Sequence, residues 1–166
     1  MPHVVRLRLD DDAVAALEAL RETARGAGAD PEPDRPQVIV AAAGTIPDRS
    51  RDALVAELRV LALPALWLGA LSSLPGDEDH LVLAAVTDPE VLAVHSAVHD
   101  VLAGRVRGPH AAHLPGSWLP HCVLARSAAS RAFAALHPVP PVRARVTAVE
   151  LHDTRTGATD MLRSTT

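Results

Sequence analysis

The sequence predicts an α+β fold built from two similar halves, and three observations support that prediction. Segments 35–41 and 119–125 share one layout, a proline, a polar residue and then an apolar strand-like run, and they lie about half a chain apart. Strand and helix patterns follow each other in nearly the same order in both halves. A glycine-rich phosphate loop would favour one continuous doubly wound sheet, and the sequence has no such loop. A duplicated fold therefore explains the pattern better than a single parallel sheet.

The first half begins with a strand and a helix. Residues 5–9 alternate apolar side chains with arginine, which is typical of a half-buried strand. Aspartates 10–12 provide an N-cap and first-turn charge for a helix whose apolar face carries Val14, Leu17 and Leu20. The elements predicted next are a linker rich in proline and acid over 29–36, a strand over 37–42 and a helix of about 48–61.

The second half repeats this order after a hairpin. The hairpin consists of predicted strands over 65–74 and 80–86, joined by a turn over 75–78. A helix then runs from a capping box at Thr87 and Glu90 to about 103, and a loop follows over 104–117. The last predicted elements are a strand over 118–125, a helix ending near 136, a strand over 142–152 and a last short strand.

Composition limits the kinds of protein this chain can be. With 166 residues, 48% apolar and 22% charged, it is predicted to form a single globular domain over 1–166, with motif strands at 37–42 and 118–125. The net charge is −4, the cations are all arginine and aromatic residues make up 2%, which argues against nucleic-acid binding. The start of the chain does not read as a signal peptide, and no apolar run reaches the ~18 residues of a membrane span. We expect a cytoplasmic protein with no membrane contact.

Three segments together carry a family resemblance. Residues 118–125, Trp-Leu-Pro-His-Cys-Val-Leu-Ala, resemble a Trp-x-Pro-His-x-Thr-Leu-Ala pattern, and residues 35–41, Arg-Pro-Gln-Val-Ile-Val-Ala, resemble Arg-Pro-His-x-Thr-Leu-Ala. Residues 92–99, Leu-Ala-Val-His-Ser-Ala-Val-His, are similar to a helix of bacterial members. The chain thus resembles, nearly end to end, the two-histidine phosphoesterase superfamily of 2′-5′ RNA ligase-like proteins. The resemblance implies two pseudo-symmetric lobes whose antiparallel sheets face a central groove, with the helices outside.

In that family, each lobe contributes a His-x-Thr/Ser motif to the groove, and the two imidazoles act as general acid and base on a phosphodiester. The matching positions here are Gln37 and Ile39 in the first motif and His121 and Val123 in the second. A glutamine does not titrate, and isoleucine and valine give no hydrogen bond to a phosphate oxygen. An apolar groove floor would also penalise a desolvated dianion.

The leading hypothesis is that the groove binds or transforms a less charged small molecule, with His121 as acid or base and Gln37, Ile39 and Val123 lining the site. One alternative is a weak but genuine 2′,3′-cyclic phosphodiesterase or RNA 2′-5′ ligase. The other alternative is a catalytically inactive interaction module. The small-molecule ligand is the only partner that we expect, and the sequence leaves the oligomeric state open.

Three further side chains are candidates for ligand binding. Trp118, at the edge of the second motif, either stacks on a ligand ring or packs against its neighbours. Arg143 and Arg145 share one strand face and either hold an anionic group in the groove or face solvent.

Histidines and the single cysteine suggest other chemistry that we do not expect. His95 and His99 have a metal-ligand spacing on a helix, but no carboxylate lies between them as in a His-Glu-x-x-His motif, and the resemblance implies packing roles. Cys122 neighbours His121 on a strand, so its thiol should face the core. We predict no metal and no cofactor.

Overall fold

The structure, a computed structural model, describes residues 2–74 and 79–165. The turn predicted over 75–78 lies outside the described residues. Within them the chain forms four α-helices and eight strands in nearly the predicted order. These are β1 (His3–Leu9), α1 (Asp11–Gly26), β2 (Gln37–Thr45), α2 (Asp48–Leu58), β3 (Ala65–Leu74), β4 (His80–Ala85), α3 (Pro89–Leu102), β5 (Arg107–Pro109), β6 (His121–Ala125), α4 (Ala129–Leu136), β7 (Val142–Asp153) and β8 (Thr159–Ser164).

The described strands form one antiparallel sheet in the order β5-β2-β1-β7-β3-β4-β6, with β8 also paired to β7. The long strand β7 joins two portions of this sheet. Residues 146–153 of β7 pair with β1, and residues 142–145 pair with β3. The motif strands β2 and β6 therefore belong to different portions, as expected for two lobes, and the predicted α+β fold is confirmed.

The helices show that the two lobes do not coincide with the two halves of the sequence. Helix α1 packs against α4 and β6, in the portion formed by β3, β4 and β6. Helix α3 packs against α2 and β2, in the other portion. Each half of the chain thus contributes one helix to the opposite lobe, so the structure corrects the simple duplication that the sequence suggested.

The N-caps explain where two helices begin. Asp10 Oδ1 accepts a hydrogen bond from the Ala13 amide at 2.9 Å, as predicted. The capping box predicted from Thr87 to Glu90 is wrong by one residue, because Asp88 caps α3 by accepting from the Val91 amide at 2.9 Å. Pro89 explains the difference, since proline is favoured at the first helical position, where no amide hydrogen is needed.

Two other boundaries differ from the prediction. Helix α2 ends at residue 58 rather than 61, and β6 begins at residue 121 rather than 118.

One face of the sheet builds the core. In β2, Val38 and Val40 are completely buried beneath the helices, whereas Gln37 and Ile39 on the other face are only half-buried. None of the described helices is long and apolar enough to cross a membrane.

Replacing Asp10 by alanine should lower the free energy of unfolding by about 1–2 kcal/mol, because the Asp10 carboxylate both caps α1 and accepts hydrogen bonds from β7. Its second carboxylate oxygen accepts from the Arg145 amide at 2.9 Å and from Arg145 Nε at 3.2 Å. Burial raises the pKa of Asp10, but these hydrogen bonds outweigh it and the pKa lies below its ordinary value. Urea unfolding at pH 7 measures the loss. The exposed first-turn change Asp12→Ala is the control, and an equal effect of both changes would contradict the capping role.

Candidate functional site

Strand alternation brings the four motif positions to one pocket. In β6, Cys122 and Leu124 are completely buried, whereas His121 and Val123 lie half-buried on the opposite face. His121 and Val123 meet Gln37 and Ile39 of β2 across a cavity of about 110 Å³, which we call the His121 pocket. Among the described residues, the lining consists of Arg21, Glu32, Asp34, Gln37, Ile39, His121, Val123 and Arg126.

The linker before β2 closes one side of this pocket by pairing with β6. The Glu32 amide donates to the Leu124 carbonyl at 3.2 Å, and the Arg126 amide donates to the Asp30 carbonyl at 2.8 Å. Pro31 forms an isolated antiparallel bridge with Ala125. The linker therefore covers an otherwise open sheet edge and brings acidic residues next to His121.

His121 is held in one tautomer. Its Nδ1 lies 2.6 Å from the Leu119 carbonyl oxygen, and because that oxygen only accepts, Nδ1 carries the hydrogen. In the neutral ring Nε2 is then left with a lone pair. Burial lowers the pKa of His121, the hydrogen bond to Leu119 opposes this, and the nearby His80 lowers it further. The ring is accordingly mainly neutral at pH 7 and accepts a hydrogen bond or a proton through Nε2.

Arg21 is a buried cation in the wall of the pocket, and its side chain donates four hydrogen bonds. Its guanidinium donates to the Val123 carbonyl from Nη2 at 2.9 Å and from Nε at 3.3 Å. Nη1 donates to the Asp34 carbonyl at 2.5 Å and to Glu18 Oε1 at 3.0 Å. Arg21 is only 2% exposed, so these contacts connect α1, the linker and β6 in a site shielded from water.

The second cation of the pocket is matched by an acid. Arg126 Nε and Nη2 donate to the two carboxylate oxygens of Glu32, each at 2.7 Å. This bidentate pair is a strong, geometrically specific contact. The sequence predicted an apolar floor, and the structure corrects this: Ile39 and Val123 are apolar, but paired charges surround them.

A second cavity of about 350 Å³ adjoins the His121 pocket at Gln37, which lines both. Arg6, Arg8 and Arg35 line this cavity as well. Glu150 lies 3.0 Å from Arg6 Nε and 3.5 Å from Arg8 Nη1, and Arg35 lies 2.7 Å from Asp11. Gln37 thus connects a small pocket to a larger one whose arginines are also paired with acids.

The other predicted ligand-binding residues lie elsewhere. Trp118 donates from Nε1 to the Ile39 carbonyl at 2.9 Å and stacks on His95 with ring centroids 4.1 Å apart, so it braces β2 from behind. Arg143 lies over the Trp67 ring at 4.4 Å, and Arg145 pairs with Asp10. Both arginines are on β7, which β3 and β4 separate from β6. The structure does not bring them to His121.

Backbone carbonyls hold His95 and His99, and Cys122 is buried. His95 Nε2 donates to the His113 carbonyl at 2.8 Å, and His99 Nε2 donates to the Val40 carbonyl at 3.2 Å. No group of three or more potential metal ligands is found among the described residues. Cys122 lies in the core, where burial raises the pKa of its thiol to about 11. A neutral, buried thiol is a poor nucleophile.

Sequence reasoning missed four members of the pocket, Arg21, Glu32, Asp34 and Arg126. A signal for Arg21 was present, because it follows Ala13 and Leu17 at four-residue spacing on the buried face of α1. A cation at such a position needs buried partners. Arg126 directly follows the second motif strand, and Glu32 lies in the linker before the first. Their pairing depends on how the two strands meet in space, so no local pattern indicates it.

No protein-family model matches this chain, and no curated protein matches it. Several solved structures are similar to it. LigT of E. coli complexed with NADP+ has a TM-score of 0.63 at 17% identity, covering 96% of this chain and 92% of that one. The protein TT0787 of Thermus thermophilus has a TM-score of 0.62 at 21% identity, with 98% and 96% covered. Usb1 of Kluyveromyces marxianus has a TM-score of 0.59 at 8% identity, with 96% of both chains covered.

At these identities the likeness shows the fold. The chain shares its fold with solved structures of a phosphoesterase, of LigT and of Usb1, which supports the α+β fold that the resemblance to two-histidine phosphoesterases implied. In this chain the two motif strands meet at the His121 pocket, with His121 and Val123 from β6 and Gln37 and Ile39 from β2.

Proposed function

We propose that the protein binds a small molecule without net negative charge in the His121 pocket, and that Nε2 of His121 accepts a hydrogen bond or a proton from it. The observation that carries this proposal is the tautomer of His121. Its Nδ1–H is committed to the Leu119 carbonyl, and Nε2 is left as an acceptor beside Gln37, Ile39 and Val123. A ligand hydroxyl or amide N–H suits Nε2, and the Gln37 side chain both donates and accepts.

Electrostatics supports a ligand that is not an anion. Arg126 is paired with Glu32, and Arg21 is held by Glu18 and by two backbone carbonyls. A phosphate group would have to compete with these partners for hydrogen bonds. On entering the pocket it would also lose hydrogen bonds to water, and the apolar side chains of Ile39 and Val123 cannot replace them. That desolvation is costly for a charged group.

The size of the pocket limits what enters it. A volume of about 110 Å³ has room for about four water molecules at ~30 Å³ each, so it takes a head group rather than a nucleotide. A larger ligand would continue past Gln37 into the cavity lined by Arg6 and Arg8. The presence of this concave site favours ligand binding over a purely inactive interaction module.

A weak cyclic phosphodiesterase is the second candidate. The solved structures of E. coli LigT include complexes with 3′-AMP, phosphate and ATP. In this chain, Arg6, Arg8 and Arg35 lie beside Gln37 and are the groups that would have to attract such anions. Proton transfer in that reaction would depend on His121, since Gln37 does not titrate.

Ligand titration followed by NMR tests the leading proposal. With histidine side chains labelled, we expect small uncharged amides such as N-methylacetamide to shift the His121 ring signal, and 3′-AMP to shift it much less at equal concentration. The ring signal is assigned by its loss in His121→Ala. Stronger binding of 3′-AMP than of every uncharged probe would contradict the proposal.

Turnover separates the two candidates. We expect no hydrolysis of 2′,3′-cyclic nucleotides above the level of His121→Ala, and robust hydrolysis lost in that variant would establish the phosphodiesterase instead. The triple variant Gln37→His, Ile39→Thr, Val123→Thr serves as the comparison. Paired acid and base groups typically contribute about 10²–10⁴-fold each, so a gain of that order would show that the groove retains its geometry.

A further inference from the structure

A separate cavity of about 440 Å³ lies on another side of β2, between that strand, the last turn of α3 and the loop over 104–115. It shares no described lining residue with the His121 pocket. Its volume falls in the ~300–1,000 Å³ range of small-molecule sites. Small side chains leave this space open, since β2 contributes Ala41, Ala42 and Ala43 and the end of α3 contributes Ala103 and Gly104.

The walls of this cavity are mostly apolar. Besides the alanines, Leu102, Val106 and Leu114 line it, together with Pro109 and Pro115, which have no backbone N–H. An apolar ligand body would gain about 25 cal/mol for each Å² of surface that it buries here. The cavity therefore suits a small hydrophobic group.

Two polar side chains, His99 and Asp100, line the cavity. Asp100 is an exposed carboxylate in the last turn of α3. His99 Nε2 lies 3.2 Å from the Val40 carbonyl oxygen, so Nε2 carries a hydrogen and donates it to that oxygen. No arginine is among the described residues of the lining. A cation or hydrogen-bond donor of a ligand would find its partner in the Asp100 carboxylate.

Helix α3 adds to the preference for a cation. His99, Asp100 and Leu102 of the lining lie in its C-terminal turn, where the aligned peptide dipoles leave partial negative charge. This charge and the Asp100 carboxylate act in the same direction. We propose that this cavity binds a protonated primary amine with a small apolar body, its ammonium group at Asp100 and its body against Ala41–Ala43 and Leu102.

Calorimetric titration with 2-phenylethylammonium tests this proposal. At pH 7 we expect it to bind, and 3-phenylpropanol and 3-phenylpropanoate, which have bodies of similar shape, to bind at least about tenfold more weakly. Asp100→Asn should weaken ammonium binding about tenfold, because it removes the charge but keeps the shape. Glu90→Gln, an exposed change at the other end of α3, should leave binding unchanged.

A filling variant checks that the amine enters the cavity. Ala103 is exposed and has φ −55° and ψ 123°, which leucine also adopts, so Ala103→Leu should fold normally and weaken binding about tenfold. Equal affinities for the ammonium, the alcohol and the carboxylate would overturn the proposal, and so would binding that is insensitive to Asp100→Asn. Loss of binding in His121→Ala would place the amine in the other pocket and would likewise overturn it.

Discussion

Replacing Arg21 by alanine is expected to lower the free energy of unfolding by about 3–5 kcal/mol, the largest effect that we predict for a single change. The Val123 and Asp34 carbonyl oxygens would lose their guanidinium donors at a buried site. Glu18 would lose its partner at 3.0 Å, and the space left by the long side chain would remain partly empty. Urea unfolding at pH 7 measures the change.

Arg25→Ala is the matched control, because Arg25 lies one helical turn further along α1 and pairs with Glu22 on the surface. Its loss should cost less than about 1 kcal/mol. Arg21→Ala should also free the linker from β6, which faster amide exchange at Glu32 and Arg126 would reveal. Equal stabilities of the Arg21 and Arg25 variants would show that the buried guanidinium contributes nothing net.

The free energy of unfolding should fall as the pH drops from about 6.5 to about 4, with a loss of roughly 2 kcal/mol. Burial, and to a smaller extent the neighbouring His110, His121, His99 and His95, lower the pKa of His113 to about 4. The pKa values of His95 and His121 are also lowered, chiefly by burial.

The sign follows from where the protons bind. Between pH 4 and 6.5 the unfolded chain binds more protons at these imidazoles than the folded chain does, so acid favours unfolding. Each unit of pKa shift corresponds to roughly 1.4 kcal/mol, and partial solvent access reduces the total for His113. The stabilising contribution is complete above pH 6.5 and disappears as the pH falls toward 4.

Urea unfolding at several pH values measures this loss. His113→Gln should flatten the curve, and His137→Gln, at an exposed position beyond α4, should leave its shape unchanged. A free energy of unfolding that stays constant from pH 7 to pH 4.5 would refute the burial of neutral imidazoles.

Much of the fold was predictable because it depends on neighbouring residues. Alternation in 37–40 and 121–124 correctly separated the core face from the pocket face, since successive strand side chains point to opposite sides. Asp10 signalled the start of α1 because a carboxylate satisfies free amides at a helix N-terminus. The family resemblance of these segments then implied the two-lobed architecture, and the solved structures share it.

The chemistry of the site depended on contacts between distant segments. The sequence indicated that Gln37, Ile39, His121 and Val123 share a groove, but an arginine from α1 and a charge pair between the linker and Arg126 complete it. The strand pattern made Arg143 and Arg145 candidate ligand-binding residues. In the structure, Arg143 lies over the Trp67 ring and Arg145 pairs with Asp10 instead.

No local pattern indicated that each half of the chain contributes one helix to the opposite lobe. By itself, the sequence determined the elements, their inward faces and the paired motif strands, because capping and periodicity act over a few residues. Only the tertiary structure decided which strands pair, where the linker lies and which charges neutralise each other, because those contacts join residues as far apart in the chain as His3 and Asp153.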